Sequence, residues 1–248
     1  MQTLELSEKI KKLNPDVKIC LGGYCATYYY DEIFNISNYV DFIVQGEGED
    51  TFRELCDVLN DEGDLNNIKG LIFRNNSDRN YTKNEIRPPF KKIEDFMLKT
   101  RKDVLVTQKF QRGELSTSRG CFGQCSFCVS HKFFDPTSQQ KWRGIEPKKV
   151  VDEIIMINKK YNINTFTFTD ASFEDSLNGI ERMINILDLL IESNIKATFE
   201  VNFRSTIHKK ITPDIMKKII QAGIVCVFLG IEAFNEEDLR LYKKSATL

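Results

Sequence analysis

Three cysteines bunched on one short segment carry the strongest chemical signal in this sequence. They lie in Ser116-Thr117-Ser118-Arg119-Gly120-Cys121-Phe122-Gly123-Gln124-Cys125-Ser126-Phe127-Cys128, spaced C-x3-C-x2-C. Three thiolates on one loop can hold three irons of a cubane iron–sulfur cluster. The fourth iron then has no protein ligand and is open to a substrate or cofactor. Gly120 and Gly123 let the backbone wrap closely round an inorganic core, and its N–H groups can hydrogen-bond to sulfur and tune the potential. Zinc is the competing metal, because His131 follows Cys128 by three residues and allows Cys3His ligation. Structural zinc sites usually combine two short ligand motifs from separate places, and no second motif occurs here. A zinc-stabilised, non-catalytic binding module is therefore the alternative. Cys20, Cys25, Cys56 and Cys226 are scattered and read as small buried hydrophobes.

The elements that must carry this loop are α/β throughout. Residues 1–75 alternate helix and strand: a helix over Leu4–Leu13, a strand over Val17–Leu21 ending in Gly22-Gly23, and a helix over Ala26–Phe34. A strand over Val40–Val44 ends in Gly46-Glu47-Gly48, and a helix over Thr51–Leu59 and a strand over Ile68–Phe73 follow. Short apolar strands between helices predict a doubly wound parallel sheet covered on both faces. Residues 76–113 are turn-rich and charged, with Pro88-Pro89, and read as a hairpin and linker. From 114 to 248 the alternation resumes. Strands over Leu115–Ser118, Thr165–Thr169, Ala197–Phe203 and Ile224–Leu229 are separated by helices over Pro147–Tyr161, Ser176–Glu192 and Pro213–Gln221. Another helix opens near Asn235. Four βα units in a row predict part of a parallel barrel, whose active site lies at strand C-terminal ends.

The cysteine segment, with aromatic Phe127 before the last cysteine, resembles the signature of the radical S-adenosylmethionine (SAM) superfamily. Ser-Thr-Ser-Arg-Gly-Cys resembles the subgroup that carries a cobalamin (B12)-binding domain ahead of the barrel. Trp142-Arg143-Gly144, Val150-Val151-Asp152-Glu153-Ile154, Phe168-Thr169-Asp170, Asn202-x-Arg204 and Gly230-Ile231-Glu232 extend the likeness. The resemblance implies a partial B12-binding-like sheet followed by a partial radical SAM (β/α)6 barrel. It implies a [4Fe–4S] cluster on Cys121, Cys125 and Cys128 whose open iron chelates SAM. Reductive cleavage then yields a 5′-deoxyadenosyl radical, with an electron donor such as flavodoxin or ferredoxin. It further implies SAM contacts at Asp170-Ala171-Ser172 for the amino group, Arg204 for the carboxylate, Glu232 for the ribose and Phe127 for adenine. A guanidinium fork suits a carboxylate, and a carboxylate suits an ammonium. The bland readings are a helix N-terminal acid for Asp170, an exposed ion pair for Arg204 and a surface loop acid for Glu232. Trp142 reads as a packing anchor.

Gly22 and Gly23 sit at a strand end, where doubly wound sheets bind ligands; they resemble the later half of that subgroup's cobalamin domain, which implies a cobalamin contact there. Its histidine-bearing loop, D-x-H-x-x-G, has no counterpart, since the two histidines are His131 and His208. With four of six barrel strands and the later half of a cobalamin domain, the chain reads as truncated at both ends. Cobalamin implies methyl transfer to an unactivated carbon; a degenerate cobalamin domain implies cyclisation, methylthiolation or rearrangement. Net charge is −1 over 248 residues and no block of like charge stands out, which gives no field for nucleic acid or an anionic membrane. No run approaches the roughly 20 apolar residues that cross a bilayer, and the N-terminus lacks a signal-peptide core. A cytoplasmic protein with reduced thiols is expected.

Overall fold

The structure, a computed structural model, describes residues 2–61, 63–75, 80–94, 112–136, 142–174 and 179–244. Parts of the expected linker, and the start of the helix expected from Ser176, lie outside them. The chain divides into two compact units, one of Met1–Phe90 with Lys132–Thr137 and one of Lys91–His131 with Ser138–Leu248.

The first unit contains α1 (Gln2–Leu13), β1 (Cys20–Leu21), α2 (Gly23–Tyr28), α3 (Tyr30–Ile36), β2 (Phe42–Val44), α4 (Glu49–Asp61), β3 (Leu71–Arg74) and β4 (Tyr81–Lys83). Its sheet has the order β1-β2-β3-β4. Phe34, Ile43, Leu55, Leu71 and Ile72 fill its core. Two expectations change. The helix expected over Ala26–Phe34 breaks into α2 and α3 at Tyr29, whose backbone (φ −113°, ψ 29°) leaves the helical region. The sheet is parallel only between β1 and β2, and β3 and β4 run antiparallel. The run Leu71-Ile72-Phe73 is buried on both faces, so it carries no alternation that would reveal strand direction.

The second unit contains β5 (Arg112–Leu115), β6 (Ser118–Gly120), β7 (Trp142–Gly144), α6 (Pro147–Tyr161), β8 (Thr165–Phe168), α7 (Glu181–Glu192), β9 (Thr198–Arg204), α8 (Pro213–Gln221), β10 (Ile224–Gly230) and α9 (Glu236–Leu241). A short helix, α5 (Ser130–Phe133), follows the cysteines. The sheet order is β10-β9-β8-β5 with every pairing parallel, so the four βα units form as expected. Pro147 opens α6 at a position whose N–H needs no partner, and Asn162 closes it in the left-handed conformation at φ 55°. Between them Val150, Val151, Ile154 and Ile157 bury one face, each burial contributing roughly 1.5–3 kcal/mol. Thr212 caps α8 by accepting from the Ile215 N–H, as expected of a helix start.

The strand expected over Leu115–Ser118 divides. β5 ends at Leu115, and Ser118–Gly120 leaves the main sheet to pair antiparallel with Trp142–Gly144. This two-stranded ribbon delivers the chain into Cys121.

Candidate functional site

β9 shows how the fold aims side chains. Phe199, Val201 and Phe203 are buried, while Glu200, Asn202 and Arg204 alternate with them on the other face, following the two-residue period of a strand. A cavity of about 310 Å³ opens where β9 and β10 end. Cys121, Cys125 and Cys128 line it together with Phe127, Ala171, Arg204 and Glu232. Seven of the residues singled out from sequence therefore meet in one place.

The cysteine loop has the shape a cluster asks for. Gly123 donates its N–H to Cys121 Sγ at 3.2 Å. A Cβ built on Gly123 would stand 3.2 Å from Cys121 Sγ and 3.8 Å from Cys125 Sγ, so the missing side chain leaves room between two sulfurs. Cys128 N–H bonds the Cys125 carbonyl at 3.0 Å, which turns the last two cysteines toward the same cavity. Among the described residues no group of three His, Cys, Asp or Glu side chains is set to hold a metal ion. A cubane asks for a different arrangement, one sulfur on each of three irons. These residues fit such a cluster. His131, the fourth ligand of the zinc alternative, does not line the cavity.

The chain after α9 supports the loop from the other side. Ser126 donates its N–H to the Tyr242 carbonyl at 2.9 Å and its hydroxyl to the Leu241 carbonyl at 3.1 Å. The Phe127 and Tyr242 rings meet edge to face at 5.7 Å, a favoured aromatic geometry.

Two of the expected contacts lie outside this cavity. Asp170 and Ser172 are each only 1% exposed and do not line the cavity. The Asp170 carboxylate accepts from Thr117 N–H and Thr117 Oγ1, each at 2.9 Å, and from the Ser118 hydroxyl. Burial pushes its carboxyl upward, against the opposing pull of those donors and of Arg182. A carboxylate so occupied is not aimed at a ligand's amino group. Ser172 gives its hydroxyl to the buried Glu174 carboxylate. Of that triplet only Ala171 reaches the cavity.

Arg204 is anchored from behind. Glu174 Oε1 accepts from Arg204 N–H at 3.0 Å and from Nε at 3.4 Å. Glu232 stands at φ 67°, a conformation that non-glycine residues adopt at a cost, and it pairs with Lys244. Asn202, part of the Asn202-x-Arg204 motif, also lines the cavity, as does Lys244, which was not singled out from sequence. Glu200 is occupied by Arg112, whose two terminal nitrogens reach it at 2.7 and 2.8 Å. Trp142 is a packing anchor. It is buried, stacks on Phe122 at 6.2 Å and lies under the Arg182 guanidinium at 5.5 Å.

In the first unit, Gly22 caps α2 and Gly23 begins it at φ 83°. A Cβ on Gly23 would meet nothing within 4 Å, so this strand end presents backbone to open space, as a closely approaching ligand requires.

The model of the radical SAM superfamily matches residues 115–247, and that of the B12-binding domain matches residues 1–56. This chain belongs to the radical SAM superfamily. Over 244 residues it is 28% identical to an uncharacterized methyltransferase of Pyrococcus horikoshii, covering 96% of this chain and 50% of the relative. Over 259 residues it is 27% identical to an anaerobic magnesium-protoporphyrin IX monomethyl ester cyclase of Rubrivivax gelatinosus, covering 100% and 44%. The chain thus spans about half the length of the curated relatives it matches. Its fold is that of the radical SAM methyltransferase TsrM from Kitasatospora setae, solved with cobalamin and a [4Fe–4S] cluster bound. There the TM-score is 0.76 at 18% identity, covering 99% of this chain and 47% of that one. This radical SAM protein has SAM and a [4Fe–4S] cluster as its cofactors and an N-terminal segment of cobalamin-binding type. Its chemistry requires a one-electron reductant. Among the described residues no helix is long and apolar enough to cross a membrane.

Proposed function

We propose that this chain carries the cofactor site of a radical SAM enzyme that transfers a methyl group to an unactivated carbon with the help of cobalamin. The observation that carries the reading is the convergence of three cysteines with Ala171, Arg204 and Glu232 on one cavity at the ends of parallel strands. When bound, a [4Fe–4S] cluster supplies the single electron that breaks the S–C5′ bond of SAM.

The residues have separable tasks. Cys121, Cys125 and Cys128 hold three irons and leave the fourth for the methionine end of SAM. The Arg204 guanidinium, braced by Glu174, meets the carboxylate. The Ala171 peptide stands beside the amino group. Glu232 accepts from the ribose hydroxyls, and Phe127 covers the adenine. Phe203, Phe228 and Leu229 give the cavity an apolar lining. In the first unit Gly22 and Gly23 offer backbone to the corrinoid. No histidine of these 248 residues follows the D-x-H-x-x-G pattern.

A second reading, ring closure, is favoured by the likeness to the monomethyl ester cyclase. Flavodoxin or ferredoxin suits the reductant's task, and both the donor and the reduced thiols fit a cytoplasmic setting.

Electron paramagnetic resonance on anaerobically reconstituted, dithionite-reduced protein tests the cofactor site. A reduced [4Fe–4S] signal that changes on adding SAM is the expected result. A colourless protein holding zinc would overturn it. Corrinoid content of the purified protein then tests the methyl-transfer reading, which a protein without corrinoid would overturn, and a methylated against a cyclised product separates it from ring closure.

A further inference from the structure

Thr117 is gripped on both sides of its backbone. Its N–H and hydroxyl donate to Asp170, at the end of β8. Its carbonyl accepts from Arg182 Nη2 at 2.7 Å, on α7, and from Ile145 N–H at 2.9 Å. Arg182 Nε also donates to the Ile145 carbonyl at 2.9 Å. The next residue, Ser118, gives its hydroxyl to the same Asp170 carboxylate. Cys121 follows three residues later.

The grip continues past the cysteine. The Arg182 guanidinium lies over the Trp142 ring, and Trp142 stacks on Phe122, the residue after Cys121. The space is closed by Gly144: a Cβ there would run into the Trp142 ring and stand 2.7 Å from Arg182 Nε. Thr117, Asp170 and Trp142 are all at least nine-tenths buried, so these bonds do not compete with water and a broken one leaves an unpaired buried group.

We propose that Asp170 and Arg182 are positioning residues for the cluster, pinning Thr117 and Ser118 from behind so that Cys121 enters the cavity on a fixed backbone. This rests on the reading that Cys121, Cys125 and Cys128 carry a cluster. Neither residue lines the cavity, and each acts through the peptide that leads into the loop. Mutating outer-shell partners that orient metal ligands typically costs about 10–100-fold in metal affinity. The first turn of α7 and the end of β8 come from different βα units, so the pair also ties the loop to the sheet and to the helix layer together.

The test uses Arg182→Met, which keeps the stem and removes the donors, and Asp170→Asn, which keeps the shape and removes one acceptor. Two readouts are taken on the whole chain. The first is hydrogen exchange in the cluster-free protein. Exchange should accelerate at residues 116–122 while α8, which makes none of these bonds, keeps its protection. The second is iron retention after anaerobic reconstitution against a competing chelator, where a loss of about 10–100-fold in affinity is expected. Exchange at 116–122 identical to the parent overturns the proposal, as does an acceleration shared equally with α8, which marks general destabilisation. If Arg182→Met does not fold, the milder Asp170→Asn decides by the same criteria. If the parent itself binds no cluster, the cofactor reading fails, and hydrogen exchange still decides whether the pair fixes the loop.

Discussion

Lys244 Nζ lies 3.2 Å from Glu232 Oε1, and both side chains line the cavity that holds the three cysteines. The pair joins the end of β10 to the residues after α9. Lys244 is largely buried, with 9% of its side chain exposed against 39% for Glu232, so its ammonium is confined to the cavity wall.

Glu232 is held at φ 67°, and the left-handed region costs a non-glycine residue about 1–2 kcal/mol. Glycine adopts it freely. With the Glu232 side of it partly exposed, the pair with Lys244 contributes at most about 1 kcal/mol. Glu232→Gly should therefore leave stability within about 1 kcal/mol of the parent, while weakening SAM binding by at least ten-fold, a loss of about 1.4 kcal/mol. Urea denaturation and SAM titration monitored by the cluster's spectrum read the two quantities. Unchanged SAM affinity would remove Glu232 from the site.

Gly123 gives a test of the cluster that spares the fold. Its Cβ would stand 3.2 Å from Cys121 Sγ, closer than ordinary contact, and the position is on a loop. Gly123→Ala should fold with the parent's thermal midpoint, to within roughly 2–4 °C, yet retain less iron and sulfide after reconstitution. Equal iron in parent and variant would show that the cluster does not use the space between these sulfurs.

How much of this was legible in the sequence varied with how local the signal was. α6 was legible over Pro147–Tyr161, because its first-turn proline and apolar stripe lie within one segment. Of the seven cavity residues, the cysteines and Phe127 were legible from their spacing on one segment, and Ala171, Arg204 and Glu232 from their places at or just past strand ends. The β6–β7 ribbon was not. Three-residue strands show no period, and their pairing joins residues more than twenty apart in sequence. Asp170 was misread for a similar reason. An acid just past a strand end resembles the family's amino-group contact, and only the folded chain brings Thr117 and Ser118 onto its carboxylate. In the first unit, the continuous apolar run of β3 concealed that the strand reverses direction.

Cys20 carries a pH-dependent signature. Burial pushes its thiol up to about 11, with nearby Cys56 adding to the rise. An unperturbed thiol titrates near 8.5. Because the folded value is the higher one, the stability it contributes is fully present below about 8.5 and is lost as pH rises toward 11. Folding stability measured in urea should therefore fall across that interval, and Cys20→Ala should flatten the fall. At pH 8, iodoacetamide should label the exposed Cys25 well before Cys20. Equal labelling rates would mean that Cys20 is not shielded as the structure places it.

Arg204 and Glu174 form a coupled pair whose function can be separated from its structural role. Glu174 is buried and accepts from both the backbone N–H and the Nε of Arg204. Arg204→Lys keeps the charge but loses the fork that matches a carboxylate. Glu174→Gln keeps the shape and the N–H acceptor but removes the charge that orients the guanidinium. If Arg204 binds the SAM carboxylate and Glu174 aims it, each change should weaken SAM binding without altering iron content. The double variant should then be no worse than Arg204→Lys alone, since an absent fork cannot be misaimed. Losses that add in full would mean the two residues act independently. Losses in iron content or thermal midpoint without any change in SAM affinity would assign the pair to holding β9 in place and leave the carboxylate to another cation on the cavity, of which Lys244 is the one already in position.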